Sequence, residues 1–389
     1  MVYTLEDLKK DSNKFIEYCK QCGFCTSICP VLEVGDYLET YGPRGRLLQI
    51  RGLVSNELEP TKGLSNRIYC TLCGFCEVKC IASLKLTDLY IFARKYLTSS
   101  GLTPEEIKLV LNSIINNNNP YSVEPSLKSI WVYYLPEKPP TKASIVYWAG
   151  CTSAIRSPET SADAYQLIKL LSDSDVAILS SEPCCGWPLY LGGDIDSYRP
   201  QLSYALNVLR DAGAELVITT CPACTRSLRD KAKELGIDTN IKINHMVEWL
   251  YQLKKEDKLP ELELEGTITY HDPCELVRHM KIVKEPREII NSINKIKLIE
   301  MKGNKVESDC CGGGGLYQAL HMVKAHKIAS LRLKEMPQGV KVLVSACPSC
   351  KMTLEIAARN EGLDTEVIDI VELVMKALKV KSENPYGLR

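Results

Sequence analysis

Residues 215–224, Glu-Leu-Val-Ile-Thr-Thr-Cys-Pro-Ala-Cys, and residues 341–350, Lys-Val-Leu-Val-Ser-Ala-Cys-Pro-Ser-Cys, share one pattern: a short apolar run that ends in Cys-Pro-x-Cys. Short apolar runs rich in β-branched residues predict buried strands. The proline after the first cysteine suits the first turn of a helix. Each stretch therefore predicts a strand followed directly by a helix, as in a parallel α/β sheet.

The pattern extends outward into an internal repeat. The offset is 123 residues from Cys151 to Cys274, and 126 residues from Cys221 to Cys347. We therefore predict two copies of one α/β domain with a parallel, Rossmann-like sheet, at residues 143–260 (the first repeat) and 261–389 (the second repeat). The predicted strands cover 143–148, 176–179, 215–220, 267–270, 297–301 and 341–345, and helical patterns include 194–212 and 316–334.

The N-terminal part contains two cysteine runs with the spacing of two-cluster ferredoxins, in which the fourth cysteine of each run binds the other cluster. We predict one cubane [4Fe-4S] cluster on Cys19, Cys22, Cys25 and Cys80, and a second on Cys70, Cys73, Cys76 and Cys29. Zinc is the alternative, although its structural sites usually show two separated pairs of ligands. Residues 1–100 are predicted to form an α-helical ferredoxin-like module, and residues 101–142 a connector.

Each repeat contains a set of five cysteines. The first-repeat set is Cys151, Cys184, Cys185, Cys221 and Cys224, and the second-repeat set is Cys274, Cys310, Cys311, Cys347 and Cys350. Thiolates select iron–sulfur clusters, zinc or copper(I), and adjacent cysteines suit a site with several metal ions. Gly186 and the run 312–315 are expected to let the backbone approach a bulky cluster.

Composition excludes several functions. Lysine plus arginine equal aspartate plus glutamate at 48 each, which gives no basic field for nucleic acid. The start of the chain has no apolar signal region, and no stretch approaches eighteen apolar residues. We therefore expect a cytoplasmic protein without a transmembrane segment of its own, held at the inner face of a membrane, if at all, through a partner. No Gly-x-Gly-x-x-Gly or Walker pattern indicates flavin or nucleotide binding.

The chain resembles the cysteine-rich "CCG" domain proteins, in the form fused to an N-terminal double ferredoxin. The resemblance includes Gly42-Pro-Arg-Gly-Arg46 and Tyr270-His-Asp-Pro-Cys274. This form is typical of the catalytic subunit of heterodisulfide reductases. It is shared with the iron–sulfur subunits of glycolate oxidase, lactate-utilisation and anaerobic glycerol-3-phosphate dehydrogenase complexes.

The reductase relatives imply that each five-cysteine set holds a noncubane [4Fe-4S] cluster, and that a disulfide substrate is cleaved between the two clusters. The ten cysteines would then be catalytic, and zinc in one repeat stays an alternative. A flavoprotein or a cytochrome b-type membrane subunit would be the electron partner. Two other functions remain open: an electron-transfer subunit of a flavin-linked dehydrogenase that delivers electrons toward quinone, and a non-catalytic zinc module.

Several side chains near the cysteines are further candidates. His271, Arg278 and His279 flank Cys274 and are candidate substrate contacts, with hydrogen bonding at the strand end as the alternative. His245 is interpreted as the start of a helix. We also expect His321, Lys324 and His326 to lie on the surface, and Arg44 and Arg46 either to neutralise cluster charge, to contact a partner or to lie in a solvated loop.

Overall fold

The computed structural model describes residues 2–237 and 240–378 and contains two four-stranded parallel sheets. The strand order is β2-β1-β3-β4 in the first sheet and β6-β5-β7-β8 in the second. The first-repeat strands are β1 (Ile145–Trp148), β2 (Val176–Ile178), β3 (Leu216–Thr219) and β4 (Lys242–His245). The second-repeat strands are β5 (Leu262–His271), β6 (Ile293–Leu298), β7 (Val342–Ser345) and β8 (Glu366–Asp369). The predicted α/β class with two repeated parallel sheets is confirmed.

The N-terminal module is helical, as predicted. Its helices are α1 (Leu5–Tyr18), α2 (Pro30–Glu33), α3 (Pro43–Val54), α4 (Lys62–Ile68), α5 (Phe75–Val78) and α6 (Leu86–Ser99), with a 3-10 turn at Glu39–Tyr41. The connector contains α7 (Glu105–Asn117) and a 3-10 segment at Pro125–Tyr134. The connector is therefore ordered structure rather than an extended link.

Helices separate the strands of both repeats. The first repeat has α8 (Cys151–Arg156), α9 (Pro158–Leu171), α10 (Trp187–Gly192), α11 (Ile195–Asp211), α12 (Pro222–Thr225), a π-helical turn Arg226–Lys231, α13 (Ala232–Glu234) and α14 (Met246–Lys255). The second has a π-helical turn Glu275–His279, α15 (Glu285–Ile290), a 3-10 turn Lys305–Glu307, α16 (Tyr317–Leu320), α17 (Met322–Leu333), α18 (Pro348–Asn360) and α19 (Ile370–Ala377). The helix predicted over 316–334 is divided at His321, whose φ is −135°.

The strand order puts the cysteines at one edge of each sheet. In the first repeat the chain passes from β1 to β2 on one side and then to β3 on the other. A crevice forms outside the carboxyl ends of the strands where the order reverses in this way. Cys151 follows β1 and Cys221 follows β3, on the two sides of that crevice. Cys274 and Cys347 hold the same positions after β5 and β7.

Two hydrophobic cores join the parts of the chain. Tyr147 and Ile218 of the first repeat share one core with Tyr270 and Val344 of the second, and all four are buried. A second core joins the ferredoxin-like module to the first repeat, and across it Tyr69 donates its hydroxyl proton to the carbonyl oxygen of Gly192 at 3.2 Å. The two repeats therefore share one core, and the module packs on the first repeat and also contacts residues of the second.

A search of the described helices for a membrane span, by length and hydropathy, found none that qualifies.

Candidate functional site

The structure brings Cys80, the last cysteine of the second ferredoxin run, next to the first three cysteines of the first run. We call this group the outer site; its cysteines are Cys19, Cys22, Cys25 and Cys80. They line one cavity together with the apolar side chain of Leu47 and with Arg44. Cys22 is exposed, so the outer site lies at the protein surface. Burial raises the pKa of Cys25 to about 11, and the neighbouring cysteines add to the effect.

The other four ferredoxin cysteines line a second, more deeply buried cavity. We call them the inner site; they are Cys29, Cys70, Cys73 and Cys76. Arg46 lies beside Cys29 and Cys70 and is only 1% exposed, with hydrogen bonds from its guanidinium to the carbonyl oxygens of Arg67 and Tyr69. The expectation of a solvated loop is therefore wrong for Arg46, whose positive charge is buried next to the cysteines.

The donor sets of both sites fit a cubane cluster. Among the described residues that line the two cavities, no carboxylate or imidazole accompanies the four sulfurs. Such all-thiolate sets hold [4Fe-4S] clusters. All eighteen cysteines are free thiols, as iron–sulfur ligation requires.

The two five-cysteine sets share one larger cavity of about 440 Å³ between the repeats. Nine of the ten cysteines line it: Cys151, Cys184, Cys185, Cys221, Cys224, Cys274, Cys311, Cys347 and Cys350. The tenth, Cys310, is buried and lies against Cys73 of the inner site. Two sets of sulfur ligands thus face the same space.

The thiols are arranged alike in the two repeats. The sulfur of Cys185 accepts hydrogen bonds from the thiols of Cys184 and Cys224, which lower the pKa of Cys185 to about 6. In the second repeat the contacts with Cys310 and Cys350 lower the pKa of Cys311, whose Sγ lies 3.2 Å from that of Cys350. A lowered pKa favours the thiolate, which is the form that binds metal.

The Cys-Pro-x-Cys motifs open helices, as predicted. Cys221 is the residue before α12 and Cys347 the residue before α18, and a proline occupies the first turn of each helix. The free N–H groups and the positive end of a helix stabilise negative charge at this point. The helix start in both repeats is therefore a place that would stabilise the negative charge of a bound cluster.

The glycine run of the second repeat lines the cavity at residues 313–315 and also has a second role at the ferredoxin-like module. Gly312 and Gly315 have φ of +85° and +64°, which side chains rarely adopt. A Cβ on Gly315 would lie 2.1 Å from the carbonyl oxygen of Cys70, and a Cβ on Gly314 would lie 2.7 Å from that of Thr71. These two glycines allow the second repeat to approach the backbone of the ferredoxin-like module closely.

Several cavity residues were not predicted as site residues. Arg156 is exposed at the cavity and lies 5.9 Å from the ring of Tyr121, which comes from the connector. Across the cavity, Gln318 and His326 lie 3.3 Å apart, so the expectation of a surface position is wrong for His326. Arg156 follows Cys151 by five residues, as His279 follows Cys274. Because His279 was a candidate site residue, this equivalence between the repeats could have identified Arg156 as one too.

The three candidate substrate contacts have other neighbours. Arg278 donates from Nε to the carbonyl oxygen of Cys73 at 2.6 Å, and a ring nitrogen of His279 lies 3.0 Å from that of Leu72. His271 is 1% exposed and accepts a hydrogen bond from Arg332. None of the three is among the described residues that line the cavity, and their contact with a substrate stays a prediction.

His245 starts a helix, which confirms that interpretation. Its Nδ1 accepts the backbone N–H of Val247 at 3.3 Å, and the carboxylate of Glu248 accepts the backbone N–H of His245. Asp369 and Glu372 form the corresponding capping box at α19.

Comparison with known families agrees with this geometry. The cysteine-rich domain model, CCG, matches residues 145–229 and 268–355, which carry the two five-cysteine sets. The 4Fe-4S dicluster domain model matches residues 15–84, which carry the outer and inner sites. The chain carries two cysteine-rich CCG domains and one 4Fe-4S dicluster domain. These domains, together with the relatives, support an iron–sulfur electron-transfer subunit.

Relatives extend over nearly the whole chain. One subunit of the dihydromethanophenazine:CoB–CoM heterodisulfide reductase of Methanosarcina acetivorans is 29% identical over 95% of this chain and 95% of the relative. The protein of the same name from Methanosarcina mazei is 28% identical, with the same coverage. A "probable glycolate oxidase iron-sulfur subunit" of Bacillus subtilis is 22% identical over 96% of this chain and 98% of the relative. The chain is thus similar both to heterodisulfide reductase subunits and to a glycolate oxidase iron–sulfur subunit, the two classes expected from the sequence.

Proposed function

We propose that this protein is the catalytic subunit of a disulfide reductase, which cleaves or forms the S–S bond of a small thiol compound. The observation that carries the proposal is the single cavity of about 440 Å³ that both five-cysteine sets line. A disulfide has two sulfur atoms, and its reduction takes up two electrons and two protons to give two thiols. Two facing sets of sulfur ligands match a substrate with two reacting sulfur atoms.

We assign four clusters to the chain. Cubane [4Fe-4S] clusters are held by the outer and inner sites, and noncubane [4Fe-4S] clusters by the first-repeat and second-repeat sets. When bound, these clusters supply the electrons one at a time, and the noncubane pair also supplies iron positions open to sulfur. The convergence of sulfur atoms on each cavity supports the assignment. The domain limits at residues 143 and 261, and a Rossmann-like character for each repeat, belong to the same proposal.

The chain's own residues bind and orient the substrate. Trp187, Leu191 and Ile356 give the cavity apolar walls that exclude water around the reacting sulfurs. Arg156 places a positive charge at the exposed end of the cavity, which suits an acidic group on one half of the substrate. Gln318 and His326 offer hydrogen bonds to the other half. Glu275 also lines the cavity, but its ion pair with Arg226 at 2.8 Å neutralises it.

Electrons enter through the outer site and leave the module through the inner site. Cys22 of the outer site is exposed, and Phe24 and Ile81 beside it are 57% and 60% exposed. An exposed apolar rim of this kind suits contact with a redox partner. We propose a flavoprotein or a cytochrome b-type membrane subunit as the partner, which would hold the protein at the inner face of the membrane.

The alternative is an electron-transfer subunit for a flavin-linked dehydrogenase. The similarity to the Bacillus subtilis protein favours it, at lower identity than the heterodisulfide reductase relatives. In that function the cavity would accept no disulfide. Whether a disulfide binds and reacts in the cavity therefore distinguishes the two functions.

A cavity-filling variant tests the proposal. Met352 lines the cavity from α18, so Met352→Trp places a larger side chain in the substrate space. The matched control is Leu170→Trp, on the outer face of α9 at a residue that is 55% exposed. We expect disulfide reduction with a reduced viologen as electron donor to fall at least tenfold in Met352→Trp and to be unchanged in the control. The cluster spectra should be the same in both variants.

A lack of disulfide reduction by iron-loaded wild-type protein, tested with neutral and acidic disulfides, would contradict the proposal. Equal activity of Met352→Trp and wild type would show that the chemistry takes place elsewhere.

A further inference from the structure

His271 is a buried imidazole beside the second-repeat set that the cavity chemistry does not use. It is the last residue of β5 and precedes Cys274 by three residues. A ring nitrogen of His271 and the Sγ atoms of Cys311 and Cys350 all lie within 4.8 Å of one another. The ring is therefore close enough to act on the sulfur atoms of this set.

Arg332 decides which ring nitrogen carries the proton. Its Nε lies 3.1 Å from Nδ1 of His271. A guanidinium can only donate, so Nδ1 must be the acceptor, and the proton of the neutral ring lies on Nε2. Arg332 is 1% exposed and is held by Glu335 and by the hydroxyl of Ser308, which fixes its direction.

The Nε2–H group has no other use in the described structure. Nε2 is buried and has no hydrogen-bond partner among residues 2–237 and 240–378. An unpaired buried donor destabilises the folded protein, so a partner is expected. The sulfur atoms of Cys311 and Cys350 are acceptors close to the ring.

The same position differs in the first repeat. Trp148 precedes Cys151 by three residues, as His271 precedes Cys274. The indole N–H of Trp148 is also buried without a hydrogen-bond partner among the described residues, and Lys128 lies 5.7 Å from the indole ring. The two repeats therefore have similar cysteines but different surroundings at this point.

We propose that His271 donates an N–H hydrogen bond to a sulfur atom of the second-repeat site and thereby raises the reduction potential of the cluster held there. The inference rests on the proposed cluster in that repeat. Reduction adds a negative charge to a cluster, and a hydrogen bond to sulfur stabilises that charge. His271 is then a positioning residue, with Arg332 holding its tautomer, rather than a metal ligand.

The test uses iron-loaded protein in which all histidines are labelled with ¹⁵N. Pulsed electron paramagnetic resonance (EPR) of the second-repeat cluster in its paramagnetic state should detect a weak coupling to one nitrogen. The signal should disappear in His271→Leu. Redox titration should show a lower midpoint potential for this cluster in His271→Leu, partly restored in His271→Gln, whose amide keeps an N–H near the position of Nε2. Trp148→Phe, at the corresponding position of the first repeat, should leave this potential unchanged.

The outcomes separate this inference from the proposed function. A cluster signal from the second repeat without histidine coupling would overturn the proposed hydrogen bond but not the proposed function. This measurement needs only the wild-type protein, so it holds even if both His271 variants fail to fold. A coupling as strong as that of a nitrogen bound directly to iron would overturn it as well, since His271 would then be a ligand. Absence of any cluster from the second repeat would overturn both proposals.

Discussion

Arg278 of the second repeat donates a hydrogen bond from Nε to the carbonyl oxygen of Cys73 in the ferredoxin-like module, across 2.6 Å. Nη1 of the same guanidinium donates to the carbonyl oxygens of Val306 and Ser308, at 3.0 and 2.7 Å, on the segment that leads to Cys310. Because Cys73 and Cys310 also lie against each other, one buried side chain fixes the contact between the inner site and the second-repeat set. The inner site therefore has the second repeat as a direct neighbour.

The close approach at Gly315 should be essential for that contact. Gly315→Ala and Gly339→Ala both place a Cβ at a positive φ, of +64° and +79° respectively, and both should cost about 1–2 kcal/mol in backbone strain. Only the first also puts the Cβ 2.1 Å from a backbone oxygen of the module, whereas Gly339 has open space. We expect Gly315→Ala to lower the free energy of unfolding by about 1–3 kcal/mol more than its control. Anaerobic urea unfolding followed by circular dichroism measures the difference. Equal losses would mean that the interface adjusts.

Cys29 and Cys80 each lie with the cysteines of the other run, which predicts which cysteine variants alter the same cluster signal. Cys29→Ala should alter the same cluster signal as Cys76→Ala, although Cys29 belongs to the other run in sequence. Cys80→Ala should instead resemble Cys22→Ala. Redox-dependent EPR spectra of the four variants test the pairing. If Cys29→Ala matched Cys22→Ala, each run would hold its own cluster.

Lys128 of the connector should stabilise the first-repeat site. Its Nζ lies 2.9 Å from the carboxylate of Glu182 and donates to the carbonyl oxygen of Pro183 at 2.8 Å, just before Cys184. The carboxylate also accepts the N–H of Gly150, next to Cys151. Both charged side chains are at most 10% exposed, so Lys128→Met leaves the buried carboxylate of Glu182 without its cation. We expect this to lower the free energy of unfolding by about 3–5 kcal/mol.

The double variant Lys128→Met with Glu182→Gln should recover part of that loss, because it removes the unpaired charge. Urea unfolding and the iron content of the purified protein provide the comparison. A single variant as stable as wild type would show that the pair contributes nothing.

His245 should make the protein less stable in acid. Burial lowers its pKa to about 4 in the folded protein, compared with about 6.5 in the unfolded chain. Between these pH values the unfolded state binds more protons than the folded state. The contribution of the neutral, buried His245 to the free energy of unfolding is therefore complete above about pH 6.5 and is lost as the pH falls toward 4. His245→Asn keeps a side chain that can cap α14 but removes the titration. The difference in unfolding free energy between wild type and variant should change by up to about 1.4 kcal/mol per pH unit in this window. A constant difference from pH 7 to pH 5 would contradict this linkage.

Cysteine spacing carried most of what could be predicted from the sequence. The offset of 126 residues between Cys221 and Cys347 identified the repeat, and apolar runs located six of the eight strands. β4 and β8 are the outer strands of their sheets. Each has four residues that lead straight into a helix cap. Residues 242–244 have a strand-like pattern in the sequence, whereas the helical pattern after β8 obscured that strand.

The rest of the site depends on contacts between segments that are far apart in the sequence. Tyr121 and Lys128 lie in a stretch rich in asparagine and proline, and only the packing of the connector against the first repeat brings them to Cys151 and Cys184. Arg278 and His279 carry the right chemistry for a substrate anion, but their positions are fixed by the carbonyl oxygens of the module. A local pattern does not contain that information.

The central claim is that both five-cysteine sets act on one disulfide. It is tested most directly by measuring the thiols released per electron when the fully reduced, iron-loaded protein is mixed anaerobically with a disulfide. Cys185→Ser and Cys311→Ser each disable one set at the corresponding cysteine. The account predicts two thiols for every two electrons in wild type, and less than one hundredth of the wild-type rate in either variant. Full thiol release by one of the two variants would show that a single repeat suffices and would contradict the shared site.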